Sequence, residues 1–182
     1  MNYIKTEIEG PMIIEPRVFG DRRGYFFESF RADEFRREVA DIEFVQDNES
    51  LSAHRGVLRG LHFQKGDAAQ AKLVRVVKGR IQDVAVDIRP GSPTFGKWVS
   101  VELSGDNHRM FFIPRGFAHG FLVLSDDAIF TYKVDNVYAP QAEAGIRWDD
   151  PALGIDWPVN PAEVLTSEKD LKAPLLKDAW LF

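Results

Sequence analysis

The chain of 182 residues contains no cysteine. This absence excludes thiol nucleophiles, iron–sulfur clusters and cysteine zinc sites together. No apolar run approaches the roughly 18 residues that a membrane-spanning helix requires. The N-terminal residues also lack the basic and then apolar pattern of a secretory signal. We therefore expect a cytoplasmic protein that does not bind membranes.

The charge balance is mildly acidic, since 28 Asp and Glu against 23 Lys and Arg give a formal net charge of −5. Nucleic-acid-binding domains are typically basic, so this balance argues against a nucleic acid as partner. Any site for an anion must then be a local concentration of Arg and Lys. The length is sufficient for one well-packed core, and we predict a single domain over residues 1–182.

Segments of alternating apolar and polar residues recur along the chain, separated by Gly, Pro, Asn and Asp. This period of two predicts short antiparallel strands at close spacing. The predicted strands are Lys72–Val77, Ile81–Ile88, Lys97–Leu103, Arg109–Ile113, Gly120–Leu124 and Ala128–Val134. One helix is predicted over Ala32–Ala40, and loops with short helical turns from about residue 158 onward.

The fold that this pattern predicts is an all-β jelly roll with a few short helices. We prefer it to an up-and-down barrel because the connection Pro114–Gly120 looks more structured than a tight turn. The connection contains His119, and glycines near that position let a ligand approach the backbone closely. We therefore expect His119 to lie in a loop and to contact a ligand.

The most informative segment is Val57–Gln64, which places Arg59 and His62 three residues apart in an apolar run. Arg offers a rigid donor fork for phosphate, and His is the commonest general base. Regular alternation would put the two side chains on opposite faces, but Gly60 permits a bulge that turns both the same way. A core histidine beside a surface arginine is an equally good interpretation of this segment alone.

Lys72 and Tyr132 are predicted to share faces with apolar neighbours in their strands. A buried ammonium is costly unless it is paired or functional, but a lysine at a strand end also reaches solvent easily. Most inward-pointing tyrosines are core residues whose hydroxyl has found an acceptor. Each residue alone therefore fits a structural role better than a catalytic one.

Four further residues carry polar groups in suggestive places. Arg23 lies in a turn that presents cations, and Gln46 and Asn48 share one face of a predicted strand. Asp170 ends a Ser-x-x-Asp sequence, which is an ordinary helix-capping box. For Arg23 and Asp170 the structural interpretation is favoured when each is taken alone.

A metal site is not predicted. The four histidines are widely scattered, and His62 is flanked by Leu61 and Phe63 rather than by other ligands. A cupin metal centre uses His-x-His with a nearby Glu, and a cluster here would have to assemble from isolated ligands.

Taken together, the segments resemble the dTDP-4-dehydrorhamnose 3,5-epimerase family. The similarity extends in order over most of the chain, and several segments are long enough to be specific. The matching stretches are Val18–Glu28, Phe44–Asn48, Gly56–Gln64, Ala71–Val76, Asp83–Asp87, Gly91–Trp98, Ile113–Phe121, Gly145–Pro151 and Ser167–Asp170.

The resemblance implies a cupin-like jelly roll, or double-stranded β-helix, and a homodimer that exchanges N-terminal strands. It assigns His62 as the general base and Asp170 as the carboxylate that orients it. Tyr132 becomes the acid on the opposite face of the sugar, and Lys72 the cation near the ketone oxygen. Tyr138 matches the aromatic residue that stacks on thymine. The residues matching other contacts to the dTDP-sugar are Arg23, Glu28, Gln46, Asn48, Arg59, His119, Glu143 and Lys169.

The residue types suit this chemistry. In a 4-keto sugar the hydrogens at C3 and C5 are acidified by the adjacent carbonyl, and removing one creates an enolate that needs stabilisation. No net oxidation occurs, so no cofactor is expected, and the chain has no Gly-x-Gly-x-x-Gly turn. The alternatives are a mono-epimerase acting at C5 or C3 only, a non-catalytic sugar-nucleotide-binding β-barrel and a metal-dependent cupin oxygenase.

Overall fold

The computed structural model describes residues 1–179 and residue 181, and in this part of the chain two antiparallel sheets face each other. With strands numbered along the chain, the first sheet has the order β1 (Asn2–Lys5), β2 (Met12–Glu15), β10 (Met110–Ile113), β7 (Lys72–Lys78), β12 (Ala128–Val134) and β5 (Gln46–Ser52). The second has the order β13 (Glu143–Gly145), β6 (Leu58–Gln64), β11 (Phe117–Val123), β8 (Arg80–Asp87) and β9 (Trp98–Ser104).

The remaining elements are short. Strands β3 (Phe19–Asp21) and β4 (Gly24–Phe26) form a separate hairpin near the N-terminus. The α-helices are α1 (Ala32–Glu38) and α2 (Glu168–Leu171). Single 3₁₀ turns occupy Gly66–Ala68, Pro140–Ala142, Pro161–Glu163 and Leu176–Asp178. This arrangement confirms the predicted jelly roll with minor helical content.

The core lies between the two sheets. Val74 and Phe130 of the first sheet pack in one cluster with Ile81, Ala85 and Phe121 of the second. Burying an aliphatic or aromatic side chain of this size contributes about 1.5–3 kcal/mol relative to leaving it in water. The inward faces of β7 and β12 therefore hold the sheets together, and any polar residue on those faces is carried into the interior.

The predicted strands agree with the structure within a few residues, but one prediction was wrong. His119 lies in the middle of β11 and not in a loop. All seven residues of β11 are buried, because the strand lies between β6 and β8 and side chains on both of its faces pack into hydrophobic clusters. A central strand covered on both faces loses the polar alternation by which strands are recognised in sequence.

The C-terminal tail is fastened across the second sheet at two places. The N–H of Leu165 donates to Gly56 O (2.9 Å), and the N–H of Leu58 donates to Leu165 O (2.8 Å). Farther along, the N–H of Leu176 donates to the buried Asp150 carboxylate at 2.7 Å. Helix α2 lies between these attachments and contacts β6.

In the described residues, the longest helices are far too short and polar to cross a bilayer, and none qualifies as a membrane span.

Candidate active site

A cavity of about 780 Å³ opens between the two sheets beneath α2. Four of its lining residues are those predicted to do chemistry: His62, Lys72, Tyr132 and Asp170. Residues predicted to contact the substrate also line it, namely Asn48, Arg59, His119 and Lys169. The fold thus brings into one cavity groups that lie far apart in the sequence.

A bulge in β6, of the kind that Gly60 permits, turns Arg59 and His62 towards the same cavity. His62 lies opposite His119 and Arg59 opposite Phe121, so three steps along β6 match two along β11. Gly60 takes φ +117°, and a Cβ there would lie 2.6 Å from the carbonyl oxygen of His119. Only glycine fits this left-handed and crowded position, which therefore supports the bulge.

His62 and Asp170 form a hydrogen-bonded pair. Nε2 of His62 lies 2.5 Å from Oδ1 of Asp170, across 108 residues of sequence. The other carboxylate oxygen accepts from the hydroxyl of Thr166 at 3.3 Å. Asp170 is 4% exposed. Burial on its own would raise the pKa of this carboxyl, but the hydrogen bond from His62 holds it below its ordinary value.

The capping interpretation of Asp170 is also correct, but it uses the backbone only. The N–H of Asp170 donates to Oγ of Ser167 at 3.1 Å, which makes Ser167 the N-cap of α2. The carboxylate of Asp170 is left free to reach His62. One residue therefore satisfies the helix terminus and faces the imidazole at the same time.

A second histidine–carboxylate pair joins His119 of β11 to Asp83 of β8. The sequence did not lead us to predict a role for Asp83. Nε2 of His119 is 2.9 and 3.0 Å from the two oxygens of Asp83, and both side chains are buried. Burial lowers the pKa of His119 and raises that of Asp83. The available signal was an aspartate on the inward face of a strand, between Ile81 and Ala85.

Lys72 and Tyr132 approach the cavity from the first sheet, opposite His62. Burial lowers the pKa of the Lys72 ammonium to about 8 against the attraction of Asp83 and Glu143. Nζ lies 6.0 Å from the centre of the Tyr132 ring. Burial also raises the pKa of the Tyr132 phenol, so that it remains protonated at neutral pH.

A hydrogen-bonded chain runs along the rim of the cavity. The hydroxyl of Tyr138 donates to Oε2 of Glu143 at 2.7 Å, and Nζ of Lys169 lies 2.5 Å from the same oxygen. Burial would raise the pKa of Glu143, but these two partners lower it. On β5 of the first sheet, Nε2 of Gln46 donates to Oδ1 of Asn48 at 2.8 Å, which confirms that the two share a face.

Among the described residues, those that line the cavity do not include Arg23, Glu28, Gln46, Tyr138 or Glu143. The last three lie next to the cavity, because they are bonded, directly or through one another, to the lining residues Asn48 and Lys169. Arg23 lies at the tip of the β3–β4 hairpin and pairs with Asp21, NH2 to Oδ2, at 2.5 Å. The hairpin is exposed, with Phe19 at 52% and Phe26 at 71%. Within one chain, Arg23 and Glu28 are therefore separated from the other residues predicted to contact the substrate.

A sequence model of dTDP-4-dehydrorhamnose 3,5-epimerases matches residues 5–178. The chain is 56% identical to the dTDP-4-dehydrorhamnose 3,5-epimerase of Escherichia coli over 171 residues, covering 93% of this chain and 91% of that protein. It is 55% identical to the Shigella flexneri protein of the same description, covering 100% and 99%.

The solved structures agree. One crystal structure is that of a dTDP-6-deoxy-D-glucose-3,5-epimerase from Legionella pneumophila in complex with dTDP-4-keto-L-rhamnose. It superposes with a TM-score of 0.93 at 52% identity, covering 97% of this chain and 93% of that one. The resemblance noted in the sequence is thereby confirmed. The chain belongs to the dTDP-4-dehydrorhamnose 3,5-epimerase family.

Proposed function

We propose that this protein epimerises dTDP-4-dehydro-6-deoxy-D-glucose at C3 and C5, giving dTDP-4-dehydro-L-rhamnose for dTDP-L-rhamnose synthesis in the cytoplasm. One observation carries the proposal: an imidazole backed by a buried carboxylate faces a phenol from the opposite sheet, with a lysine ammonium in the same cavity. Inverting a carbon requires a proton to leave one face and another to arrive on the other. Groups on opposing walls meet that requirement.

The first step is the removal of a proton by His62. The neutral imidazole takes a hydrogen from the carbon beside the ketone, and the C–H electron pair moves into the carbonyl as an enolate. Asp170 accepts the hydrogen bond from the ring and stabilises the imidazolium that forms. A positioned base typically contributes about 10²–10⁴-fold in rate.

The enolate oxygen carries the charge that must be stabilised. Lys72 supplies a cation for it. His119 supplies a neutral N–H from Nδ1 when the proton of its hydrogen bond at Nε2 is carried by Asp83, whose pKa is raised by burial. Such donors are worth most where water is excluded and their orientation is fixed beforehand. Because Lys72 and His119 are held on strands β7 and β11, little reorganisation accompanies the reaction.

Tyr132 completes the inversion by delivering a proton to the opposite face of the enolate. Its raised pKa keeps the phenol protonated until the carbanion forms. The proton count balances, since His62 gains one proton and Tyr132 loses one in each inversion, and exchange with solvent restores both. There is no net oxidation, so the reaction as proposed uses no cofactor.

The nucleotide is bound along the rim. Arg59 and Lys169 supply cations for the diphosphate, and the ring of Tyr138 supplies a stacking surface for thymine. Gln46, Asn48 and Glu143 add hydrogen-bonding groups. Nζ of Lys169 is already balanced by Glu143, so diphosphate must compete with that ion pair when it binds.

Arg23 and Glu28 join this site if two chains exchange their N-terminal strands. Exposed aromatic residues on the β3–β4 hairpin support such an exchange, because an apolar surface of this kind is usually covered by a partner. We therefore propose a homodimer in which each hairpin reaches the cavity of the other chain. Light scattering after gel filtration tests it, and a monomeric mass at micromolar concentration contradicts it.

The decisive experiment is proton NMR of dTDP-4-dehydro-6-deoxy-D-glucose with the protein in D2O. We expect deuterium to enter at both C3 and C5 and the L-rhamno product to form. Incorporation at one carbon alone would instead identify a mono-epimerase. Binding of the nucleotide sugar without any exchange would identify a non-catalytic binding protein.

A further inference from the structure

Gln64 is a buried polar residue that the proposed chemistry does not use. It follows His62 by two positions on β6 and is 7% exposed. Its amide makes three hydrogen bonds to the main chain of other described residues. Nε2 donates to Ala68 O (2.7 Å) and Val137 O (3.3 Å), and Oε1 accepts from the N–H of Ala139 (2.8 Å). A buried amide is tolerated because its donors and acceptor are satisfied in this way.

Two of these hydrogen bonds are to the residues that directly precede and follow Tyr138 in the chain. Val137 and Ala139 are its direct neighbours in the chain, and they lie outside the strands and helices of the structure. The N–H of Tyr138 itself donates to Oε1 of Gln46 at 3.1 Å. Two glutamine side chains, from β5 and β6, therefore fix the backbone of three consecutive loop residues.

The strand paired with β6 fixes the other end of the tyrosine. Gln64 lies directly opposite Glu143 in the pairing of β6 with β13. Glu143 accepts the hydrogen bond from the hydroxyl of Tyr138. The ring of Tyr138 is thus held through its backbone and its hydroxyl while the residue remains 53% exposed. An exposed aromatic ring that is restrained at both ends is already oriented for stacking.

We propose that Gln64 is the positioning residue for the surface on which the nucleobase stacks. It clamps the loop on both sides of Tyr138, so that the ring is in place before the nucleotide binds. The inference rests on the proposed function, in which Tyr138 stacks on thymine. Gln64 itself touches neither the base nor the reacting carbons, and it acts through Tyr138.

The experiment is a double-mutant cycle of Gln64→Met and Tyr138→Ala, read by calorimetric titration with dTDP. Met keeps the length of the side chain and removes its hydrogen bonds. We expect Gln64→Met to weaken dTDP binding about tenfold and to raise KM by a similar factor. The turnover number kcat should change by less than about twofold, because uniform binding is lost rather than transition-state stabilisation. In the Tyr138→Ala background, Gln64→Met should add nothing further.

Gln82→Met is the matched control. Gln82 is in the same sheet, and its amide also donates to a main-chain oxygen, Asp156 O at 2.9 Å, but it belongs to strand β8 rather than to the rim. Its dTDP affinity should stay at the wild-type value. Should Gln64→Met fail to fold by circular dichroism, Gln64→Glu takes its place, since Glu keeps the acceptor for Ala139 and loses both donors.

Two results would overturn the inference. One is an unchanged dTDP affinity in Gln64→Met when Tyr138→Ala weakens binding. The other is additive losses in the double variant, which would mean that Gln64 does not act through Tyr138. If Tyr138→Ala binds dTDP normally, the stacking role fails and this inference fails with it. The NMR exchange assay on wild-type protein reports separately on the proposed epimerisation.

Discussion

His62 and His119 lie directly opposite each other on β6 and β11, and each ring is hydrogen-bonded to a different carboxylate. Asp170 has its pKa lowered and is charged, whereas burial raises the pKa of Asp83. The ring of His62 is reached from the cavity, while His119 is buried. Two identical side chains on adjacent strands thereby have environments suited to different roles, a base and a neutral donor.

Replacing the base should abolish turnover while leaving nucleotide binding largely intact. We expect kcat to fall by about 10²–10⁴-fold in His62→Ala, with dTDP affinity within a few-fold of wild type. The kcat of Asp170→Asn should also fall, because this substitution removes the negative charge that stabilises the imidazolium. Steady-state kinetics and calorimetric titration measure the two effects. Normal product formation by His62→Ala would refute its assignment.

Tyr132→Phe should separate proton removal from inversion. His62 is still present, so deuterium should continue to enter the sugar in D2O, while formation of the inverted product falls sharply. Tyr3→Phe is the control, because Tyr3 lies on β1 at the far edge of the first sheet. Proton NMR follows exchange and product in one sample. Equal loss of exchange and inversion would assign Tyr132 a different role.

The rate should fall as pH rises through about 8, because burial lowers the pKa of Lys72 to about 8. Below this pH the ammonium is charged and stabilises the enolate, and above it the charge is lost. Lys72→Arg should keep its charge and move this alkaline limb upward. Lys72→Met should lower kcat below about pH 8 and approach the wild-type value above it, where the wild-type charge is also lost. A pH profile of kcat for the three proteins tests this. An alkaline limb unchanged in Lys72→Arg would assign it to another group.

Asp87 should contribute to stability in a pH-dependent way. Its carboxylate is fully buried, and burial alone would raise its pKa, but hydrogen bonds from Arg89, Ser92 and Thr94 bring the pKa far below its usual value. The contribution is therefore complete above the unfolded pKa near 4 and is lost as pH falls towards the folded pKa. Measured by urea denaturation, the free energy of unfolding of the wild type should fall by about 2 kcal/mol more between pH 6 and pH 2 than that of Asp87→Asn. Parallel curves would contradict this.

Gly60→Ala should destabilise the protein by several kcal/mol and lower activity, because its Cβ would meet the backbone of β11 at 2.6 Å. Gly66→Ala is the matched control. Gly66 also has positive φ, +57°, but nothing lies within 4 Å of a Cβ there. Its cost should be only the roughly 1–2 kcal/mol of a left-handed residue. Equal losses in the free energy of unfolding would show that the close contact does not matter.

Local patterns were sufficient for much of the fold. Strands β7, β8, β9 and β12 were predicted within a few residues, because alternation records which face of a strand is buried. Gly60 also indicated that a bulge was possible at this position, because the conformational freedom of glycine depends on the residue type alone. Strand β11 was partly missed because it is buried on both faces and has no alternation to read.

The amino-acid sequence by itself determined the family, the jelly roll and the chemical types of the site residues, because motifs and periodicity are properties of neighbouring residues. Only the tertiary structure decided which of these groups meet. The contact between His62 and Asp170 spans 108 residues and depends on how the tail is tied to the second sheet. The partnership of Asp83 with His119 and the clamp of Gln64 on the Tyr138 loop likewise arise from strand pairing and burial, which no local pattern specifies.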